Sequence, residues 1–261
     1  MRDSSLKDYK FKFIYKFIDI INEDVEYGFD FWNFNDEAFV QSALKFNKSS
    51  LLHIYVSSTL YCHYRKDFRK NGDCIEDENV SWWIDLMKVY GIRLTRRGYN
   101  VERDDSEAAW KWFEKNEEKF MEFFDVISDE VVHVLFNDKQ FLVIFNRLVR
   151  NVIKDKDGFY SSYLKWPEGS RNEDGTIKRC HIPKWVKQAV FYRDNGHCIF
   201  CNKNLTGLVN IFDNQKNYDH IIPLKDYGTN DPCNIQLSCE ECNKKKGGKD
   251  KVPYYKYQSW W

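Results

Sequence analysis

At 261 residues, 43% hydrophobic and 31% charged, the chain has the length to bury one large core or two modest ones. Its 40 basic and 40 acidic residues cancel, which excludes a chain-wide positive field for a polyanionic partner. No apolar run approaches the roughly 18 residues of a membrane-spanning helix, so a membrane role is not expected.

The opening stretch is interrupted by Lys10, Lys12, Lys16 and Asp19 and lacks a small-residue cleavage site. It does not read as a secretory signal, and a cytoplasmic location is expected. Ile14, Phe17, Ile18 and Ile21 recur at helical spacing, as do Phe141, Phe145, Leu148, Val149 and Val152. Asp104 and Glu107 have capping-box spacing ahead of a helix carrying Trp110, Phe113, Phe120 and Phe124. These aromatic stripes predict core, and His53 and His133 among apolar neighbours are assigned to it as well. "YCHYRKDFRK" carries His63, Arg65, Lys66, Arg69 and Lys70, and a second basic stretch carries Arg93, Arg96 and Arg97. Both read first as solvated faces, with a grip on a nucleic-acid backbone as the second reading.

Residues 1–155 are therefore expected to form a helical domain. Residues 156–180 break the periodicity with Gly158, Pro167, Gly169 and Gly175 and read as a linker or long loop. Phe159, Tyr160, Tyr163 and Trp166 predict that this loop packs against something. Helical signals return at "IPKWVKQAVFYRDNG", where Pro183 suits a first turn, Val186 and Val190 share a face, and Gly196 closes the end. Local charge shifts here: residues 176–251 hold 13 Lys/Arg against 8 Asp/Glu, which favours this end for a nucleic acid.

Cysteines then dominate. Cys198-x2-Cys201 and Cys239-x2-Cys242 are matched pairs separated by 37 residues. Four thiolates on two tight knuckles complete a tetrahedral structural zinc site, coordinatively full and so without chemistry of its own. Cys62, Cys74, Cys180 and Cys233 have no such pairing and read as ordinary thiols.

Between the knuckles, "NYDHIIPL" supplies a strand-like Asp219-His220, "GTNDPCNIQLSC" a turn and second strand, and "CEECNKKKGGK" a helix start. Asp219 and Asn243 offer hard oxygens suited to Mg²⁺ or Mn²⁺, with water and phosphate completing the shell. A neutral His220 beside such an ion can take a proton from water near pH 7. Lys244, Lys245, Lys246 and Lys249 stand at a helix start where lysines oppose the macrodipole, and beside a metal site they read as phosphate contacts.

At these positions the sequence resembles the HNH endonucleases, zinc-stapled members of the ββα-metal nucleases. The resemblance is carried by the two cysteine pairs, Asp219-His220, Asn234, Asn243 with Lys246, and the lead-in "AVFYRDNGHCIFC", and it covers about residues 181–251. It implies His220 as general base, Asp219 and Asn243 as ligands of the catalytic ion, and zinc on Cys198, Cys201, Cys239 and Cys242. It also implies that Asn234 fixes the intervening loop and helps orient His220. The implied reaction is phosphodiester hydrolysis, mainly in DNA, leaving 5′-phosphate and 3′-hydroxyl ends, with a regulated bacterial defence or restriction role. RNA cleavage at the same site and a non-enzymatic zinc-ribbon module binding nucleic acid or protein are the competing readings.

The expected fold is α+β: a mostly α-helical N-terminal domain, then a small zinc-stapled ββα-metal (HNH) domain over residues 181–261. The helical part is assigned a homo-oligomer contact or a regulatory protein partner. The closing "VPYYKYQSWW" is too aromatic for an idle tail and is expected to pack, with Trp260 and Trp261 as less favoured base-stacking groups.

Overall fold

Helical periodicity becomes helix through most of the first half. The computed structural model describes residues 9–27, 36–70, 77–96, 99, 107–155, 163–207 and 217–251. Cys74, Arg97, Gly98, Asp104, Gly158, Phe159, Tyr160, Trp260 and Trp261 lie outside the described residues. The chain divides into two compact units, Met1–Asn33 with Tyr55–His133, and Phe34–Ile54 with Val134–Trp261.

In the first unit, α1 (Ile14–Tyr27) buries Phe17, Ile21 and Val25 on one face. Most of α3 (Leu51–Lys70), α4 (Asp77–Val89), α5 (Ala108–Lys115) and most of α6 (Glu117–Leu135) complete it. Its core is aromatic. Phe68 stacks on Phe113 at 4.9 Å between ring centres, Phe113 meets Phe120 at 4.6 Å, and Trp83 meets Phe120 edge-on at 5.1 Å. Such pairs each add about 0.5–1.5 kcal/mol beyond the area they bury. The single helix expected over Trp110–Phe124 is two. Asn116 is buried and donates its side-chain amide to Trp112 O (2.8 Å), while its own carbonyl accepts from Lys119 N and Phe120 N. An amide bonding locally competes with the helical ladder and ends α5. Glu107 stands at the α5 N-cap itself, without a side-chain cap bond to the first turn. His133 is exposed, against the rings of Tyr9 and Phe11, rather than in the core.

The second unit joins α2 (Asp36–Leu44), α7 (Lys139–Lys154), α8 (Lys184–Arg193), two short strands and α9 (Glu240–Lys246). Strands β1 (Tyr218–His220) and β2 (Ile235–Leu237) pair antiparallel, with Asp219 opposite Gln236 and His220 opposite Ile235. Val186 and Val190 of α8 pack with Ile182, Leu205, Tyr218, Ile235, Leu237 and the buried Cys198 and Cys239.

The expected domain edges at 155 and 181 do not coincide with these units. Helix α7 belongs with the cysteine-bearing segment because its polar face bonds there. Asn146 Nδ2 donates to Cys233 O (3.0 Å), Arg147 makes a two-pronged pair with Asp250, and Arg150 reaches both Asp226 and Asp250. Part of the expected linker is built into the same unit. Asn172 N donates to Thr176 O (2.8 Å), Arg171 bridges Ile177, and Ile177 is buried. Trp166 packs under the Arg171 guanidinium at 5.0 Å.

Candidate active site

The cysteine frame follows from how α8 ends. Asn195 and Gly196 both take positive φ (52° and 65°), and Gly196 N donates to Phe191 O (2.9 Å). A Cβ on Gly196 would stand 2.5 Å from Thr206 Cγ2, so glycine is required by space as well as by φ. The first knuckle closes with Cys198 N to Lys203 O (2.9 Å) and Asn202 N to Cys198 O (2.8 Å). Cys239 caps α9 and accepts from Cys242 N, so the second pair sits on the first turn of that helix. The four Sγ atoms lie within 4.8 Å of one another, and Cys201 Sγ is 3.7 Å from Cys239 Sγ. Thiolates on one zinc at ~2.3 Å would stand ~3.8 Å apart, whereas a disulfide needs ~2.05 Å. These cysteines are free thiols with the spacing of a single tetrahedral zinc ion.

Behind the frame, Arg193 and Asp194 form a buried two-pronged pair, with both bonds at 2.9 Å. Asp194 Oδ2 also accepts from Leu237 N (2.8 Å), and Arg193 donates to Ile235 O (2.8 Å), so the pair clasps both ends of β2. The guanidinium also lies over the Phe136 ring at 4.8 Å.

On β1, strand alternation turns Tyr218 and His220 inward and leaves Asp219 partly exposed. His220 is 2% exposed, and its Nε2 is buried with no hydrogen-bond partner among the described residues. Burial pushes the ring's pKa down to about 3; the charges of Arg179 and Lys246 add to this, and a hydrogen bond with the Asn230 side chain opposes it. The imidazole is therefore neutral at pH 7.

Asn234 lies between the strands and holds the loop that follows His220. Its Oδ1 accepts from Ile222 N (2.8 Å), and its Nδ2 donates to Ile222 O and Thr229 O, both at 3.0 Å. Gly228 allows this closeness, because a Cβ there would meet Ile222 O at 1.9 Å.

Helix α9 reaches the same point. Lys246, one turn after Asn243, donates from Nζ to Asp219 Oδ2 (2.6 Å) and to His220 O; it is 1% exposed and Asp219 is 11% exposed. Gln236 Nε2 donates to the same carboxylate oxygen (3.0 Å). Asp219, His220 and the Asn243–Lys246 turn of α9 thus meet through Lys246. The expected substrate lysines differ from one another. Lys244 and Lys245 form exposed i,i+4 pairs with Glu240 and Glu241, Lys249 is exposed, and Lys246 is enclosed against Asp219 rather than facing solvent.

Asp219 is a hard oxygen donor of the kind a divalent ion takes, and here its Oδ2 is held by the Lys246 ammonium. The adjacent imidazole has a buried nitrogen without a partner among the described residues.

Four residues carry roles that the sequence did not suggest. Arg193 and Asp194 stood in the quoted lead-in with no role attached. Asn230 stood in a stretch read only as a turn, and Arg179 in a stretch read as linker. Their adjacency to functional residues in sequence was the one signal for Arg193 and Asp194; none existed for Arg179. Searches among curated proteins and solved structures give no match for this chain. Residues 198–249 match the family model described as HNH endonuclease, so the segment that carries the cysteine frame, Asp219, His220, Asn234 and Asn243 is an HNH endonuclease domain.

Proposed function

We propose that the protein is a metal-dependent HNH endonuclease that hydrolyses phosphodiester bonds in DNA. The observation that carries this reading is His220 Nε2, a buried nitrogen with no hydrogen-bond partner among the described residues, on a neutral ring next to Asp219 inside the matched segment. His220 acts as general base, taking a proton from the attacking water through Nε2. Asn234 holds the loop leaving His220, so the ring keeps its position while the proton moves. Asp219 and Asn243 would hold the divalent ion, Mg²⁺ or Mn²⁺, which would supply charge stabilisation at the phosphate and the leaving 3′ oxygen. The water attacks phosphorus and the P–O3′ bond breaks, leaving 5′-phosphate and 3′-hydroxyl ends. Cys198, Cys201, Cys239 and Cys242 would hold a structural zinc, which would tie the first knuckle to the start of α9 and take no part in the step.

The test is cleavage of plasmid DNA by the full-length protein with Mg²⁺ or Mn²⁺, compared with His220→Ala. The variant is expected to lose at least about 100-fold in rate, as removal of a general base does, with zinc content and circular dichroism unchanged. Cleavage undiminished in His220→Ala removes the histidine from the mechanism. Binding without strand breaks under either metal supports a non-enzymatic module instead, and faster cleavage of RNA than of DNA reassigns the substrate.

A further inference from the structure

The loop that carries Asn234 is pinned by a segment far earlier in the chain. Asn230 N donates to Ala43 O (2.9 Å), and Asn230 Nδ2 donates to Leu44 O (3.0 Å), both at the end of α2. Asp231 makes the next bonds. Its Oδ2 accepts from the N–H of Leu51, the first residue of α3 (2.8 Å), and its Oδ1 accepts from Cys233 N (2.8 Å). Its main-chain carbonyl accepts from Asn234 N (2.9 Å). Asp231 is thereby the N-cap of a one-turn 3-10 helix, Pro232–Asn234, and that turn ends on Asn234 itself. From the other side, Asn146 of α7 donates to Cys233 O (3.0 Å). Ala43, Leu44, Leu51 and Asn146 all lie outside residues 198–249, the segment that matches the family.

Two N–H groups, of Leu51 and Cys233, point at one buried side chain, and both need an acceptor. A carboxylate supplies two. Asparagine supplies one and sets its own amide donor against the other N–H, while serine supplies one at short reach. Asp231 makes no ion pair among the described residues, so its charge is buried with hydrogen bonds alone to offset desolvation. That is an unfavourable place for a carboxylate, and what it secures is geometry: the start of α3, the Pro232–Asn234 turn and Asn234 are joined through one side chain. Asn234 in turn bonds Ile222 and Thr229 and so fixes the chain that leaves His220.

We propose that Asp231 is a positioning residue of the nuclease site: by fastening the Pro232–Asn234 turn to the start of α3, it fixes Asn234 and, through Asn234, the backbone that leaves His220. The proposal rests on the nuclease reading and extends its machinery to residues 43–51. Full-length wild type, Asp231→Asn, Asp231→Ser, Asn234→Ala and the Asp231→Asn, Asn234→Ala double variant are compared on plasmid DNA with Mn²⁺. Amide hydrogen exchange is followed in the same proteins without DNA. Asp231→Asn and Asp231→Ser are each expected to lower kcat by about 10- to 100-fold, the usual effect of a slightly misplaced catalytic group. KM for DNA stays at the wild-type value, because no substrate contact is removed. The Ile222 amide, which donates to Asn234 Oδ1, exchanges faster, while Val190 of α8 keeps its protection. The double variant is no slower than Asn234→Ala, because Asp231 acts only through Asn234. Wild-type kcat in either Asp231 variant overturns the proposal and leaves the nuclease reading standing. Losses that multiply in the double variant also overturn it, since Asp231 then acts by another route. Lost protection at Val190 in both Asp231 variants overturns it in favour of a role in folding. Absence of cleavage by the wild type removes the nuclease reading and the proposal together.

Discussion

At the scale of single residues, burial decides charge more than residue type does. Asp231 is 1% exposed, and its carboxylate accepts from Leu51 N and Cys233 N, each at 2.8 Å. Burial raises its pKa to about 6, with those hydrogen bonds pulling the other way. Between its ordinary value of 3.8 and about 6, the folded chain holds a proton here that the unfolded chain has released. The stability Asp231 contributes is thus complete below the unfolded value and is lost as pH rises through 6, a change of roughly 3 kcal/mol at most. Urea midpoints of wild type and Asp231→Asn, measured from pH 4 to 7, are expected to diverge by that slope, with wild type losing ground toward neutral pH. Parallel curves would show that Asp231 keeps one protonation state throughout. The identity of Asp231 was plain in the sequence, but its burial was not, because the backbone amide of Leu51 that it accepts from is 180 residues away.

Among elements, the clasp of α8 on β2 shows why the lead-in to the first knuckle matters. Arg193 and Asp194 bond each other and two backbone groups of β2, with Lys139 Nζ a further 3.6 Å from Asp194, in a place with almost no solvent. Removing one partner leaves a buried charge without compensation, which typically costs about 3–5 kcal/mol. Asp194→Ala is expected to lower the urea midpoint by that amount. An Arg193→Met, Asp194→Leu double variant is expected to be more stable than Asp194→Ala, since neither charge is then left behind. A single variant as stable as wild type would show that the pair does not hold β2. Periodicity served the elements unevenly. The apolar face of α7 was legible from Phe141 to Val152, and those residues are buried apart from Leu148, which is half-buried. Its polar face was not legible, although Asn146, Arg147 and Arg150 attach it to the HNH segment. The break at Asn116 leaves no mark on the periodicity, because aromatic spacing continues across it.

For the whole molecule, the four-cysteine cluster stands where one zinc ion would tie the first knuckle to the start of α9. Strands of three residues and a helix of seven bury little by themselves, so zinc binding would become part of folding. Cys242→Ser, or chelation of the wild type, is expected to release zinc and to remove hydrogen-exchange protection from β1, β2 and α9. A zinc-free protein with full protection there would contradict the frame. No described helix is long and apolar enough to cross a membrane.

The cysteine pairs, the Asp219-His220 step, Asn234, Asn243 and most of the helices were determined by the sequence alone, because ligand type, spacing and hydrophobic period are local properties of a chain. Tertiary structure decided the rest. Lys246 meets Asp219 across 27 residues, Asn230 grips Lys178 across 52, and Arg147 meets Asp250 across 103. Each is a match of charge or hydrogen-bonding groups that many positions in this chain could make, and only folding selects which of them come within bonding distance.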